Sequence, residues 1–311
     1  MAVLGTDMAS SFFQRLFKPA QAQDAPAQPP ALPELIIAAQ ALAQSLRSGP
    51  HGNRRAGDGH EFWQFRPHQP NEPASLIDWK QSARSPSPDL LWVREQEQHA
   101  PRPLFLWVDS SASMRWQSTK TLPSKYNTAL TDALALGQAA LLGGEDVGIL
   151  GLKSRFNGRQ ALPRLAHNLI NHAPHNPADT MQTFPSFAGL PPHAPLLLVS
   201  DFLWDNAMMD QCLTALATHP GPTALLAILD PQEERIPFHG SIRFTSCEAE
   251  PNLTLPATES LHDAYQTRLK AHFAQLQQGF GGARSFFRFH ITSQPALPVL
   301  ADCHHFLRGR A

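Results

Sequence analysis

The chain has 311 residues, 42% of them hydrophobic, with 25 Lys and Arg against 26 Asp and Glu and a formal net charge of −1. With a pI near 7 and no basic block longer than Arg54-Arg55, it lacks the electrostatic footprint of nucleic-acid binding. Cys212, Cys247 and Cys303 lie far apart without Cys-x-x-Cys spacing, which argues against a zinc site and a disulfide scaffold and makes a reducing, cytoplasmic location the expectation.

Met8 to Phe17 carries Phe12, Phe13, Leu16 and Phe17 at helical spacing beside Arg15 and Lys18. Residues 8–18 could therefore touch a membrane surface, though the stretch is too short to anchor strongly alone and has no secretory h-region. Pro19 to Pro33 is rich in Ala, Gln and Pro, so residues 1–33 read as a disordered or linker segment. Leu35 to Leu46 has one apolar helical face and stops at Gly49-Pro50. Three strand-like pieces follow at Glu61–Arg66, Leu76–Lys80 and Leu90–Glu95, separated by turn residues. Residues 34–102 are thus predicted to be a helix plus a small β-rich lobe.

From Pro103 strand and helix patterns alternate, the mark of βαβ units in a mostly parallel sheet over residues 103–308. The strand Leu104–Val108 runs into Asp109-Ser110-Ser111-Ala112-Ser113. A helix is predicted from an N-cap at Ser124 to Leu142 with Gly143-Gly144 as its stop. Strands at Asp146–Leu152, Leu196–Ser200, Thr223–Leu229 and Phe286–Ile291 alternate with helices at Leu162–His172, Asn206–Thr218, Glu259–Gln278 and Ala296–Leu307. A hairpin is predicted from Ser241–Thr245 and Asn252–Leu255. The longest apolar run, Ala224 to Leu229, is far short of the roughly 20 residues of a membrane span.

The Asp-x-Ser-x-Ser turn is the stretch with chemistry in it. Such residues after a strand also serve as ordinary turn and N-cap residues. One carboxylate and two hydroxyls at alternate positions can also converge on a small hard cation such as Mg²⁺ or Mn²⁺, which takes oxygen ligands. A second strand, Leu196 to Ser200, ends in Asp201. In a parallel sheet Asp109 and Asp201 would share the carboxyl rim, where ligands collect. Two carboxylates about 5 Å apart repel by roughly 3 kcal/mol at an effective dielectric near 20, so a cation between them is the simple solution.

Arg54-Arg55-Ala56-Gly57-Asp58-Gly59-His60-Glu61-Phe62-Trp63-Gln64-Phe65-Arg66, then Ile77-Asp78-Trp79-Lys80-Gln81-Ser82-Ala83-Arg84, Trp92-Val93-Arg94-Glu95 and the Asp-Ser-Ser-Ala-Ser-Met loop together resemble the bacterial domain of unknown function 58 (DUF58) family, over roughly residues 47 to 308. The resemblance implies an α/β fold with a doubly wound, mostly parallel sheet, von Willebrand factor A-like and Rossmann-like, with a small N-terminal β-rich lobe. It implies a metal-ion-dependent adhesion site in which Asp109, Ser111 and Ser113 match the first loop and Asp201 the third. Thr180 is the candidate for the threonine of the second loop and Thr183 the runner-up. It also implies work beside a MoxR-type AAA+ ATPase on an unknown client protein. The chain departs from the family pattern at Arg66-Pro67-His68-Gln69-Pro70-Asn71-Glu72, where relatives read Arg-x-Tyr-x-x-Gly-Asp.

With no Gly-x-Ser-x-Gly elbow, no P-loop and no second acid in Asp109-Ser110-Ser111, a non-enzymatic interaction module is the expectation. Its alternatives are a metal-dependent phosphoester hydrolase, which would want a third acid or a Lys/Arg clamp near these loops, and a scaffold with an empty metal site. Asp78, Arg84 and Arg94 are expected to form a structural charge network rather than a recognition surface. His167, His172 and His175 are expected at the surface or in caps.

Overall fold

The computed structural model describes residues 31–48, 61–70, 72–85, 87, 90–97, 102–171, 185–204, 206–234, 242–244, 253–255, 262–280 and 284–309. The chain divides into a small unit, Arg54–Pro101, and a large one made of Met1–Asn53 and Arg102–Ala311.

The large unit is built on a six-stranded sheet. In chain order its strands are β3 (Leu104–Val108), β4 (Val147–Ile149), β5 (Arg155–Phe156), β6 (Leu196–Ser200), β7 (Thr223–Leu229) and β10 (Ser285–Ile291). In space they run β10-β7-β6-β3-β4-β5, all pairs parallel except the short edge strand β5, which the sequence pattern did not announce. The chain leaves β3 toward β4 on one side and returns to β6 on the other, so strand order reverses between β3 and β6, the place where such sheets bind ligands.

Continuous apolar runs are what a doubly covered parallel strand requires, because both faces are buried. Along β3, Leu104 and Leu106 enter one core while Phe105 and Trp107 enter the other; β6 divides in the same way, with Leu197 and Val199 opposite Leu196 and Leu198. The first core is covered by α1 (Leu32–Ser48), α3 (Lys125–Leu142), α4 (Leu162–Asn171) and α8 (Leu297–Leu307), and the second by α5 (Asn206–Ala217) and α7 (His262–Gly279). Sheet and helices thus form three layers.

Helix α3 is buried nearly all round from Thr128 to Leu141, and a helix of that kind has to be covered on its outer side as well. Helix α1 does this with Leu35, Ala39, Ala43 and Leu46, which lie in the same core as Ala133 and Leu136. This corrects the expectation that groups the first helix with the lobe in residues 34–102: its small alanines let it pack closely on α3 of the large unit. The helix also begins at Leu32, inside the segment read as linker up to residue 33. At the start of α3 the Asn127 N–H donates to Ser124 Oγ (3.2 Å), and Gly144 with φ +83° ends its last turn. The predicted hairpin is present in shortened form as β8 (Ile242–Phe244) antiparallel to β9 (Leu253–Leu255).

In the small unit β1 (Glu61–Pro67) pairs antiparallel with β2 (Trp92–Glu97). The piece Leu76–Lys80, expected as a strand, is a 3-10 turn (Ala74–Leu76) followed by α2 (Trp79–Ser82). Asp78 is the reason: its carboxylate accepts from the Gln81 N–H at 3.0 Å, a helix cap that competes with extended pairing and leaves only a bridge from Ile77 to Val93. Where the sequence departs from the family pattern, Arg66 grips Glu72 in a fork, Nη1 to Oε2 at 2.9 Å and Nη2 to Oε1 at 2.5 Å, and Glu72 also accepts from the Gln69 N–H. The Arg66 hydrogen bonds hold the Glu72 carboxyl down at about 2.

Candidate metal centre at the sheet switch point

Four of the sequence-selected residues meet at the carboxyl end of β3 and β6. The Asp109 N–H still continues the ladder to Val199 O (2.8 Å), after which the chain turns sharply: Asp109 Oδ1 accepts from the Ser111 N–H at 2.8 Å, closing an Asx turn. That turn brings Ser111 Oγ and Ser113 Oγ to 3.1 Å from one another. From β6, Ser200 Oγ donates to Asp109 Oδ2 at 2.6 Å, and Ser113 Oγ donates to Asp201 Oδ2 at 2.8 Å. Thr180 and Thr183 lie outside the described residues, as do His172 and His175, residues 8–18 and the Arg54–His60 turn. His167 lies on the exposed side of α4, its Nε2 at 2.8 Å from Asn171 Nδ2.

Asp201 is aimed at this rim by an unusual backbone. Phe202 has φ +51°, a left-handed conformation that costs a bulky residue about 1–3 kcal/mol. Three contacts hold it. Its N–H donates to Ser200 Oγ (3.0 Å), its carbonyl faces His272 Nε2 (2.8 Å), and its fully buried ring meets Trp204 and Phe287 edge-on. The same Ser200 hydroxyl therefore ties the strained turn to Asp109.

Two groups join the site that sequence reasoning missed. Lys125, the first residue of α3 and fully buried, donates from Nζ to Asp201 Oδ2 at 2.8 Å and to Glu233 Oε1 at 2.5 Å. Glu233 belongs to α6 (Pro231–Glu234), a single turn after β7. Asp230 Oδ1 accepts from the Gln232 N–H at 2.9 Å while Glu233 Oε2 accepts from the Asp230 N–H at 2.9 Å, a reciprocal capping box with proline at the first helical position. Asp230 Oδ2 also accepts from the Ser118 N–H (3.0 Å), which pins the loop after β3 to the one after β7. The string Asp230-Pro231-Gln232-Glu233 directly after an apolar strand is the signal that would have found this acid. Lys125 had no local signal.

The electrostatics divide the three acids. Burial drives the Asp109 carboxyl up, the nearby Asp201 charge adds to that, and hydrogen bonds from Ser200 and Ser111 oppose it. Asp201 is equally buried, but the Lys125 ammonium outweighs the burial and holds it below its ordinary value. Burial pushes Glu233 up to about 7 in spite of Lys125. Lys125 itself is driven above its ordinary value because the attraction of Asp201 and Glu233 exceeds its own desolvation. Three buried carboxylates around one ammonium leave a surplus of negative charge when all are ionised, and a low-dielectric setting makes such a surplus costly.

The donor set suits a small hard cation. One carboxylate and two hydroxyls from the first loop, joined by hydrogen bonds to one another and to the Asp201 carboxylate, bring hard oxygen donors together at one point, which is the ligand type Mg²⁺ or Mn²⁺ takes. Among the described residues no cluster of three or more His, Cys, Asp or Glu has metal-holding geometry, so such an ion would depend on the serine hydroxyls.

The family model described as "Protein of unknown function DUF58" matches residues 64–275. No curated protein matches the chain. Among solved structures, the conserved hypothetical protein BatB from Bacteroides thetaiotaomicron is similar at 14% identity and a TM-score of 0.32, over 67% of this chain and 98% of that one.

Proposed function

Because this chain belongs to the DUF58 family, we propose that it is a non-enzymatic protein-interaction module with a von Willebrand factor A-like fold that holds Mg²⁺, or Mn²⁺, at the switch point. Asp109, Ser111, Ser113 and Asp201 supply oxygens, with Thr180 as the candidate from the second loop. An acidic side chain of a partner completes the shell. The partner machinery includes a MoxR-type AAA+ ATPase, and the joint task is the maturation or assembly of a client protein in the cytoplasm. Among the described residues no helix is long and apolar enough to cross a membrane.

The observation that supports this reading most directly is the convergence of Asp109, Ser111, Ser113 and Asp201 oxygens from two loops at the switch point of the sheet. A divalent ion there also offsets the surplus charge of Asp109, Asp201 and Glu233, and it leaves positions open for an incoming carboxylate. Binding of that kind depends on the metal and on geometry together.

Lys125 and Glu233 supply, by type, the basic clamp and third acid that a phosphoester hydrolase wants. Yet the Lys125 ammonium is fully buried and committed to two carboxylates, so it is not presented to a phosphate. The test is capture of the partner ATPase by the full chain with Mg²⁺ or with EDTA. Asp109→Ala should keep its fold and lose the Mg²⁺-dependent capture. Capture by Asp109→Ala at wild-type strength, or Asp109-dependent turnover of generic phosphoesters, would refute the proposal.

A further inference from the structure

A second polar cluster lies within the large unit, beside the first turns of α3. A cavity of about 330 Å³, broadly open to solvent, is bounded by α1, the first turns of α3 and the turn from β10 into α8, with Glu34, Asn127, Asp132, His290 and Thr292 in its lining. Asn127 Oδ1, Asp132 Oδ1 and Thr292 Oγ1 are shielded from bulk water and have no hydrogen-bond partner among the described residues. Buried polar atoms are nearly always paired, so three such oxygens around one cavity call for an explanation.

The chemistry of the lining selects the missing partner. His290 Nε2 faces Gln294 O at 3.1 Å and must carry a hydrogen, while Nδ1 shares a proton with Asp132 Oδ2 at 2.5 Å. The His290–Asp132 pair is therefore neutral or negative, Glu34 adds a negative charge, and no lysine or arginine lines the cavity among the described residues. All three orphaned oxygens can accept. Leu35, Ala38 and Ala296 provide apolar wall. A ligand that satisfies this lining brings N–H donors, positive charge and a short hydrocarbon stem.

We propose that the cavity binds an alkylammonium group, whose N–H donors reach the Asp132, Asn127 and Thr292 oxygens after small side-chain rotations while its methylenes lie on Leu35, Ala38 and Ala296. The inference stands apart from the metal reading, since none of these residues belongs to the rim cluster.

The full chain is titrated with n-butylammonium chloride, with n-butanol and potassium chloride as neutral and ionic controls, by calorimetry and by NMR of the His290 imidazole. Saturable millimolar binding of butylammonium that shifts the His290 resonances, with neither control doing so, is the expected result. Glu34→Gln at the exposed mouth should weaken it several-fold and Thr292→Val more than that; Asp132→Asn should abolish it. N-acetyl-lysine methylamide in place of butylammonium distinguishes a lysine side chain from a free amine as the source. Equal effects of butanol and butylammonium, no saturable binding, or unchanged affinity in both Glu34→Gln and Thr292→Val would overturn the proposal, and the last two variants answer even if Asp132→Asn fails to fold.

Discussion

Replacing Lys125 with methionine tests the electrostatic account of the rim at its most exposed point in energy. Methionine keeps the length and much of the volume of the side chain but takes away the ammonium that faces Asp201 at 2.8 Å and Glu233 at 2.5 Å. Removing one partner of a buried ion pair costs about 3–5 kcal/mol, because the remaining charge is stranded away from water. Here two carboxylates are stranded, both 2% exposed. At about 2–4 °C per kcal/mol for a unit of this size, melting should fall by about 6–20 °C at pH 8. The loss should shrink at pH 5. Glu233 is already pushed up to about 7 in the wild type, and without Lys125 it rises further. An acid whose folded pKa lies above its unfolded value contributes most below that unfolded value and destabilises as pH climbs through the folded one, so the variant suffers most in alkaline solution. Glu233→Gln on the Lys125→Met background should restore part of the stability, and Mg²⁺ should restore part by binding the folded state. Melting curves of the four proteins at the two pH values decide the matter. A loss below about 1 kcal/mol, an equal loss at both pH values, or strictly additive single variants would refute the reasoning.

The hydroxyl of Ser200 orients Asp109 from behind, at 2.6 Å from Oδ2. Removing such an orienting partner typically costs 10–100-fold in metal affinity, so Ser200→Ala should weaken Mg²⁺ binding by that order in calorimetry while the chain stays folded; wild-type affinity would count against Asp109 as a ligand. At the second cluster, burial pulls the His290 imidazole down, but the hydrogen bond and charge of Asp132 win and hold it above 6.5. The stability this adds is complete below pH 6.5 and is lost as pH rises through the folded value. Wild-type melting should therefore decline above pH 6.5, and Asp132→Asn, which takes away the charge that raises His290 and leaves only its burial, should remove that decline. An undiminished slope in the variant would place its origin elsewhere.

What could be read from the chain alone is what is local along it. The apolar runs Leu196–Ser200 and Thr223–Leu229 are strands with the bounds their composition suggests, because a strand buried on both faces needs no alternation and stops where polarity begins. The Ser124 cap, the Gly143-Gly144 stop and the Asp109–Ser111 turn rest on contacts within a few residues, which is why spacing reveals them. Leu76–Lys80 went the other way, since one capping carboxylate outweighed a strand-like pattern.

Tertiary structure alone decided which distant residues share a charge. Lys125 lies 76 residues from Asp201 and 108 from Glu233, and His290 lies 158 from Asp132. No periodicity encodes such pairs, because they depend on which strands become neighbours in the order β10-β7-β6-β3-β4-β5. The same holds for α1, whose apolar face is visible in sequence while its partner, the outer side of α3, is not. An amphipathic pattern states that a face will be buried; only packing chooses what covers it, and burial is what turns a lysine among ordinary acids into the counter-charge of the rim.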